Sequence, residues 1–206
     1  MFIDTQTDDF DWIASYKVCT GLVAPRPIAL VSTVSPDGVT NLAPFSFFNM
    51  ISANPPVVVL GPSIKRDGAR KDTLVNIEAT GEFVIATVTR DIAERMARCA
   101  AELPYGQSEF DFAPLTPAPA RRVRPPLVAE AAGNLECRLR QIIPTGDTPG
   151  STAIVLGDIL AVHVDDRVLD AGGAEVDPRK LELVGRLGGK WYCTVRDPFE
   201  LPVPKV

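Results

Sequence analysis

The sequence predicts a mainly β protein, an antiparallel β-barrel decorated by two or three helices. Three observations point there. Six or seven runs of β-branched and aromatic residues, each of strand length, recur along the 206 residues. Most are separated by turn signals short enough to make hairpins. Helical spacing is confined to brief segments near residues 72–80, 91–104 and 177–185.

Residues 1–20 form an acidic leader with Asp4, Asp8, Asp9 and Asp11, read as loop plus a short helix whose Phe2, Phe10, Trp12 and Tyr16 pack onto the body. Pro25-Arg26-Pro27 forces an extended entry, since proline lacks an N–H and restricts its predecessor. Residues 28–34 are apolar and β-branched. Ser35-Pro36-Asp37-Gly38 then places proline second and glycine last, as a type I turn prefers. The expected product is a hairpin whose second strand runs unbroken over 40–51. Asn54-Pro55-Pro56 ends that strand, and Pro56–Leu60 forms a third, wholly apolar one.

Asp72-Thr73-Leu74 starts a helix that Gly81 stops after Thr80, with Leu74, Ile77 and Val75 as candidates for its buried side. Residues 82–89 follow as a strand. Asp91 and Glu94 make a capping-box-like pair before a helix with Ile92, Met96 and Cys99 inward and Arg95 and Arg98 outward. Pro104 ends it, and 105–112 begins a long loop. Five prolines within 113–126 mark a surface excursion and not an interdomain linker, since a boundary there leaves too few strands on either side. Residues 135–143 alternate, with Leu135, Cys137 and Leu139 inward and Glu136, Arg138 and Arg140 outward. The turn 144–150 leads to a strand over 152–164 with Gly157 as a bend. Asp177-Pro178 opens a brief helix ending near Gly185, residues 191–195 are the last strand, and 196–206 a tail. The whole chain reads as a single domain.

Composition excludes several classes. A net charge of -5 argues against a non-specific nucleic-acid binder. The acidic start is unlike a signal peptide, and 151–164 is too short and too interrupted to span a bilayer, so a cytoplasmic location is expected with no membrane partner. Cys19, Cys99, Cys137 and Cys193 form no C-x-x-C pair, and their apolar settings suit buried thiols. With His163 as the single histidine, a multi-histidine metal site is excluded and no metal is expected. No nucleophile elbow, Walker loop or G-x-G-x-x-G after a strand is present. Asp165 and Asp166 are adjacent and so diverge on a strand.

The stretch 41–63 concentrates Ser46, Asn49, Ser52 and Asn54 among Phe45, Phe47, Phe48, Met50 and Ile51, with no charged residue from 41 to 64. Short neutral polar groups in an apolar setting suit the edge of a flat heteroaromatic ligand. The competing reading is a buried strand whose Ser46 and Ser52 satisfy backbone, with Phe47 and Phe48 as core and Arg26 pairing with an acid. Immediately downstream, Lys65, Arg66, Arg70 and Lys71 precede the helix start at Asp72. Free N–H groups, the Thr73 hydroxyl and these cations make a phosphate site, against the plainer reading of a solvated face.

PRPIALVSTVSPDG (25–38), TNLAPFSFFNMISANPPVVV (40–59) and RKDTLVNIEATGEFVIATV (70–88), followed by VRPPLVAEAAGNLECRL, VLGDILAVHVDD and GRLGGKWY, resemble the flavin reductase-like family of FMN-binding split-barrel proteins. The likeness runs in order from about Tyr16 to Val195. It implies a Greek-key-like split barrel holding FMN, with FAD as an alternative, and reduced by NADH or NADPH. It also implies a homodimer with the flavin near the interface and a partner monooxygenase as one electron acceptor. By this resemblance the stretch 45–53 lines the isoalloxazine, with Ser46, Asn49 and Ser52 as polar contacts and Phe47, Phe48, Met50 and Ala53 alongside. Lys71 and Thr73 address the phosphate, Asp72 caps the helix, and Thr87 lies near the ring. His163 is weighed as a group reaching flavin or substrate from a partner subunit, against a satisfied structural residue. The segment 187–189 matches a family landmark without an assigned contact. In hydride transfer the cofactor carries the chemistry, so the lack of a conventional catalytic set is compatible with an oxidoreductase. The alternatives are an electron carrier with little reductase activity and a member that binds no flavin.

Overall fold

The computed structural model describes residues 2–7, 10–104, 106–202 and 204. Helix α1 (Trp12–Leu22) is capped by Asp11, whose carboxylate accepts the N–H groups of Ile13 and Ala14. The strands β1 (Ala29–Val34) and β2 (Thr40–Phe45) form the expected hairpin, Val34 opposite Thr40, with Gly38 at φ 88° completing the turn. The second strand stops at Phe45, short of the predicted Ile51. After Ser46 and Phe47 the chain enters β3 (Phe48–Ala53), which pairs with β4 (Pro56–Leu60) and not with β1. Gly61 N–H bonds the Phe47 carbonyl at 2.8 Å and fixes this corner. A Cβ on Gly61 would lie 2.9 Å from the Phe47 Cβ, so the close approach needs glycine.

Helix α2 (Asp72–Thr80) ends on Gly81 in the left-handed region, as expected, burying Leu74 and Ile77 but leaving Val75 exposed. It is followed by β5 (Glu82–Thr87), α3 (Ala93–Arg98) and α4 (Glu109–Phe112), the last inside the stretch read as loop. The capping box does not form, because Asp91 accepts the Thr89 hydroxyl and the N-cap Ile92 has no side-chain bond to offer. Next come the short β6 (Pro117–Ala118) and β7 (Leu127–Val128), which pair with each other, then the long hairpin β8 (Gly133–Pro144) and β9 (Ala153–Val164). Helix α5 (Pro178–Leu181) starts on Asp177 as predicted. The final strand is shorter than expected and lies outside the main sheet: β10 (Val184–Arg186) and β11 (Tyr192–Thr194) make a separate ribbon.

The main sheet has seven strands in the order β2-β1-β5-β8-β9-β4-β3, every pair antiparallel. Its two end strands are consecutive in sequence, so the sheet rolls up, yet β2 and β3 share no ladder. The barrel is therefore split at the Ser46–Phe47 corner. Inside it, Val31, Leu60, Phe83, Ile85, Cys137 and Val155 form one core that α2 joins through Leu74 and Ile77. Phe83 fills the bore so completely that a Cβ on Gly157 would lie 2.3 Å from its Cζ. A second core, with Leu30, Leu42, Met96, Phe110 and Leu115, sits where α3, α4 and the excursion cover the outer face. These two layers explain why all six residues of β1 are buried.

The excursion 113–126 is held down by side chains of the body. Glu136 of β8, expected to face water, is fully buried and accepts the N–H groups of Arg121 (3.0 Å), Arg122 (2.5 Å) and Val123 (3.1 Å). Its other neighbour is His163 Nε2 at 2.5 Å. Glu82 takes the N–H and guanidinium of Arg124, and Glu130 takes Thr116 and Arg95. Arg95 is accordingly half-buried, whereas Arg98 is exposed as expected. Cys99 and Cys137 are buried thiols, and burial pushes Cys99 up to about 12. Cys19, by contrast, is exposed and Cys193 half-buried. Among the described residues no helix is long and apolar enough to cross a membrane.

Candidate functional site

The split leaves a groove of about 610 Å3 beside the β2–β3 corner, within the range of roughly 300–1,000 Å3 usual for small-molecule sites. The corner contributes Phe45, Ser46 and Phe47, and α1 contributes Trp12, Ile13 and Tyr16. Gly61, Ser63 and Ile64 come from the loop after β4, which then supplies Lys65, Arg66 and Lys71. Tyr16 meets Phe47 edge-on, ring centroids 6.4 Å apart at 77°. Trp12 lies against Gly150, where a Cβ would stand 2.7 Å from its ring. The leader aromatics expected to pack onto the body are thus largely exposed: Phe2 89%, Trp12 42% and Tyr16 50%, the latter two facing this groove.

A smaller cavity of about 100 Å3 continues from it, sharing Pro44, Phe45, Lys65, Lys71 and Glu102 and reaching Asp72, Thr73 and Glu109. Here α2 begins. Its N-cap is Lys71 in an extended conformation, and no side chain caps the helix. Lys71 O accepts Leu74 and Val75, so the helix end presents the first-turn N–H groups of Asp72 and Thr73 to the cavity. The Lys71 ammonium stands 3.9 Å from Glu102, both partly exposed. Burial pushes the Glu109 carboxyl above its ordinary value, against the N–H of Leu42 that it accepts at 2.8 Å.

Arg26 ties the corner to both ends of the chain. It is 7% exposed and donates to the carbonyls of Thr20 (2.5 Å), Val23 (2.6 Å) and Leu187 (3.1 Å), and to Ser46 Oγ at 3.4 Å. These partners replace the acid of the competing reading. Burial lowers its pKa, with Tyr16 opposing the shift and Arg186 adding to it.

The structure brings together Ser46, Phe47 and Lys71 in the larger groove and Lys71, Asp72 and Thr73 in the smaller one. Asp72 does not cap the helix as expected: Lys71 holds that position and Asp72 is the first helical residue. Phe48 is partly buried and packs against the barrel core. Asn49, Met50, Ser52 and Ala53 lie on β3 and line neither cavity. Asn49 Oδ1 accepts the Met50 N–H at 2.8 Å, and Ser52 Oγ donates to the Pro55 carbonyl at 2.6 Å. Thr87 Oγ1 exchanges hydrogen bonds with the Gly133 N–H and carbonyl. His163 is engaged by Glu136 and lies outside both cavities. Sequence reasoning missed Trp12, Tyr16 and Glu102. The first two carried a signal, an aromatic pair at i, i+4 on one face of a helix; Glu102 carried none.

The flavin reductase like domain family matches residues 22–178, a span that includes all seven strands of the main sheet. Across 188 residues the chain is 40% identical to an uncharacterized protein of Aquifex aeolicus, covering 91% of this chain and 93% of that one. It is similar in structure to nitrilotriacetate monooxygenase component B from Bacillus cereus (TM-score 0.89, 33% identity, 98% of this chain and 99% of that one). It is also similar to 2-nitrobenzoate 2-nitroreductase from Pseudomonas fluorescens (TM-score 0.87, 31% identity, 99% and 96%). The rolled sheet, its seam and the matched span agree, and this chain belongs to the flavin reductase-like family of split-barrel proteins.

Proposed function

We propose that this chain is an FMN-dependent oxidoreductase that takes a hydride from NADH or NADPH and passes the electrons to a separate acceptor. The observation that carries this reading is the continuity of the groove's aromatic, uncharged corner at Phe45, Ser46, Phe47 and Tyr16 with an uncapped helix end bearing Lys71. A flat ring system on a short chain ending in phosphate matches that layout. Ser46 and the corner amides address the ring edge, Phe47 and Tyr16 border its faces, and Lys71, Thr73 and the first-turn N–H groups hold the phosphate. Bound there, FMN supplies the two-electron chemistry that no side chain of this protein offers. The protein's part is to orient the ring, neutralise its phosphate and leave one face accessible to a nicotinamide.

Met50 and Ile51 of β3 and Val162 of β9 are exposed at 51%, 55% and 60%. A homodimer that covers them would place Asn49, Met50, Ser52 and Ala53 toward the neighbouring protomer's groove, which is where those residues could meet flavin. A partner monooxygenase as acceptor is favoured by the likeness to a monooxygenase component B, and a nitroaromatic acceptor by the likeness to the nitroreductase. Anaerobic mixing with NADH or NADPH tests the activity. Fast bleaching of the flavin is the expected result, and slow bleaching with both nucleotides leaves an electron carrier instead. Lys71→Ala combined with Thr73→Ala should weaken FMN far more than riboflavin, because only FMN carries the charge these groups address. Equal weakening of both flavins removes the phosphate assignment.

A further inference from the structure

We propose that Asn41 is a positioning residue for the phosphate end of the groove, setting the Thr73 hydroxyl so that its hydrogen points outward as a donor. The inference rests on the reading of this groove as an FMN site. Asn41 of β2 stands opposite Thr33 of β1, so both side chains share the face on which α2 packs. The Asn41 amide nitrogen donates to Thr33 Oγ1 at 3.2 Å and to Thr73 Oγ1 at 3.0 Å, which uses both of its hydrogens. Asn76 Nδ2 reaches the same Thr33 oxygen at 3.1 Å. The four side chains are closed off from water, with exposures of 0% for Thr33, 8% for Asn41, 1% for Thr73 and 2% for Asn76.

A hydroxyl that receives an N–H from below keeps its own hydrogen for the other side. Thr73 lines the small cavity with Lys65 and Lys71 and with the carboxylates of Asp72, Glu102 and Glu109, so that hydrogen is a neutral donor that an anion held by the two cations would need there. Phosphate oxygens only accept, and so need a donor there. If Asn41 presented a carbonyl oxygen instead, Thr73 would donate inward and turn lone pairs toward the phosphate. The network has a stability cost: Asn76 Oδ1 is buried without a partner. An apolar residue in place of Asn41 could not orient Thr73.

The readout is the ratio of riboflavin to FMN dissociation constants, measured by flavin fluorescence quenching, so that riboflavin affinity reports an intact ring site in each variant. Asn41→Leu should lower the preference for FMN about tenfold, and Asn41→Asp by more, since its carboxylate captures the Thr73 hydrogen and adds repulsion. In a Thr73→Val background, Asn41→Leu should change the ratio less than about twofold, because the intermediary is gone. Thr73→Ser should keep the wild-type ratio. An undiminished preference in Asn41→Asp, or losses that combine independently in the double variant, overturns the inference while leaving the FMN reading intact. Wild-type protein with no preference for FMN overturns that reading, and the inference with it.

Discussion

Two loops of this protein carry several cations each and treat their backbone in opposite ways. The excursion 113–126, with Arg121, Arg122 and Arg124, has its N–H groups bound by carboxylates of the body. The loop 61–71, with Lys65, Arg66, Arg70 and Lys71, delivers the chain to a helix end that no side chain caps. Where the protein supplies its own anion to a cluster of N–H groups, it builds a fixed surface. Where it withholds one, the helix end stays open to the anion proposed above.

The largest effect should come from removing the internal anion. Glu136→Ala strands three N–H groups under the excursion, and should cost at least about 3 kcal/mol in denaturant unfolding. The FMN-to-riboflavin preference of the folded fraction should stay unchanged; a lost preference would mean that the two loops are coupled. The same carboxylate gives a pH signature. Burial raises the Glu136 pKa, but His163 and the N–H groups of Arg121 and Arg122 together hold it below its ordinary 4.5. A depressed folded value means that its stabilisation is present above about 4.5 and is lost as pH falls through the folded value. Glu136→Gln should therefore flatten the stability profile only below about pH 4.5.

Removing a cation from the open loop should move binding and not stability. Lys71→Ala should reduce FMN affinity about tenfold, with the unfolding midpoint within experimental scatter of wild type. Raising salt to about 0.5 M should weaken FMN several-fold and riboflavin little, as expected for a phosphate met by exposed charges. The smallest effect tests Glu102, the carboxylate 3.9 Å from Lys71. Glu102→Gln should tighten FMN by about twofold, read as a slower release rate. A weaker FMN complex in that variant would mean that Glu102 helps position Lys71 and does not compete for it.

Much of the architecture was legible because it is decided locally. The 35–38 turn, the helix stop at Gly81 and the proline after Asp177 each act through their own backbone preferences. The cations that precede the α2 start were legible for the same reason, since such a run is a local pattern. What stayed hidden depends on partners distant in sequence. Nothing within 40–51 marks Ser46 as the place where pairing with β1 gives way to pairing with β4. Alternation placed Glu136 on the outer side of its strand correctly, but that side is covered by a segment read as a surface loop. Phe47 and Phe48 are chemically identical neighbours, and only the corner sends one to the groove and the other to the core.

The corner itself constrains how this chain can change length. Its two residues join strands whose side chains alternate between bore and exterior, so the count between Phe45 and Phe48 is a parity. One residue added there would turn Phe48 outward and bring Asn49 into the bore, whereas residues 145–149, in the turn between β8 and β9, are all exposed and line no part of the groove. Length variation should collect in that turn and be excluded from the seam, even though the seam looks, residue by residue, like the more ordinary of the two.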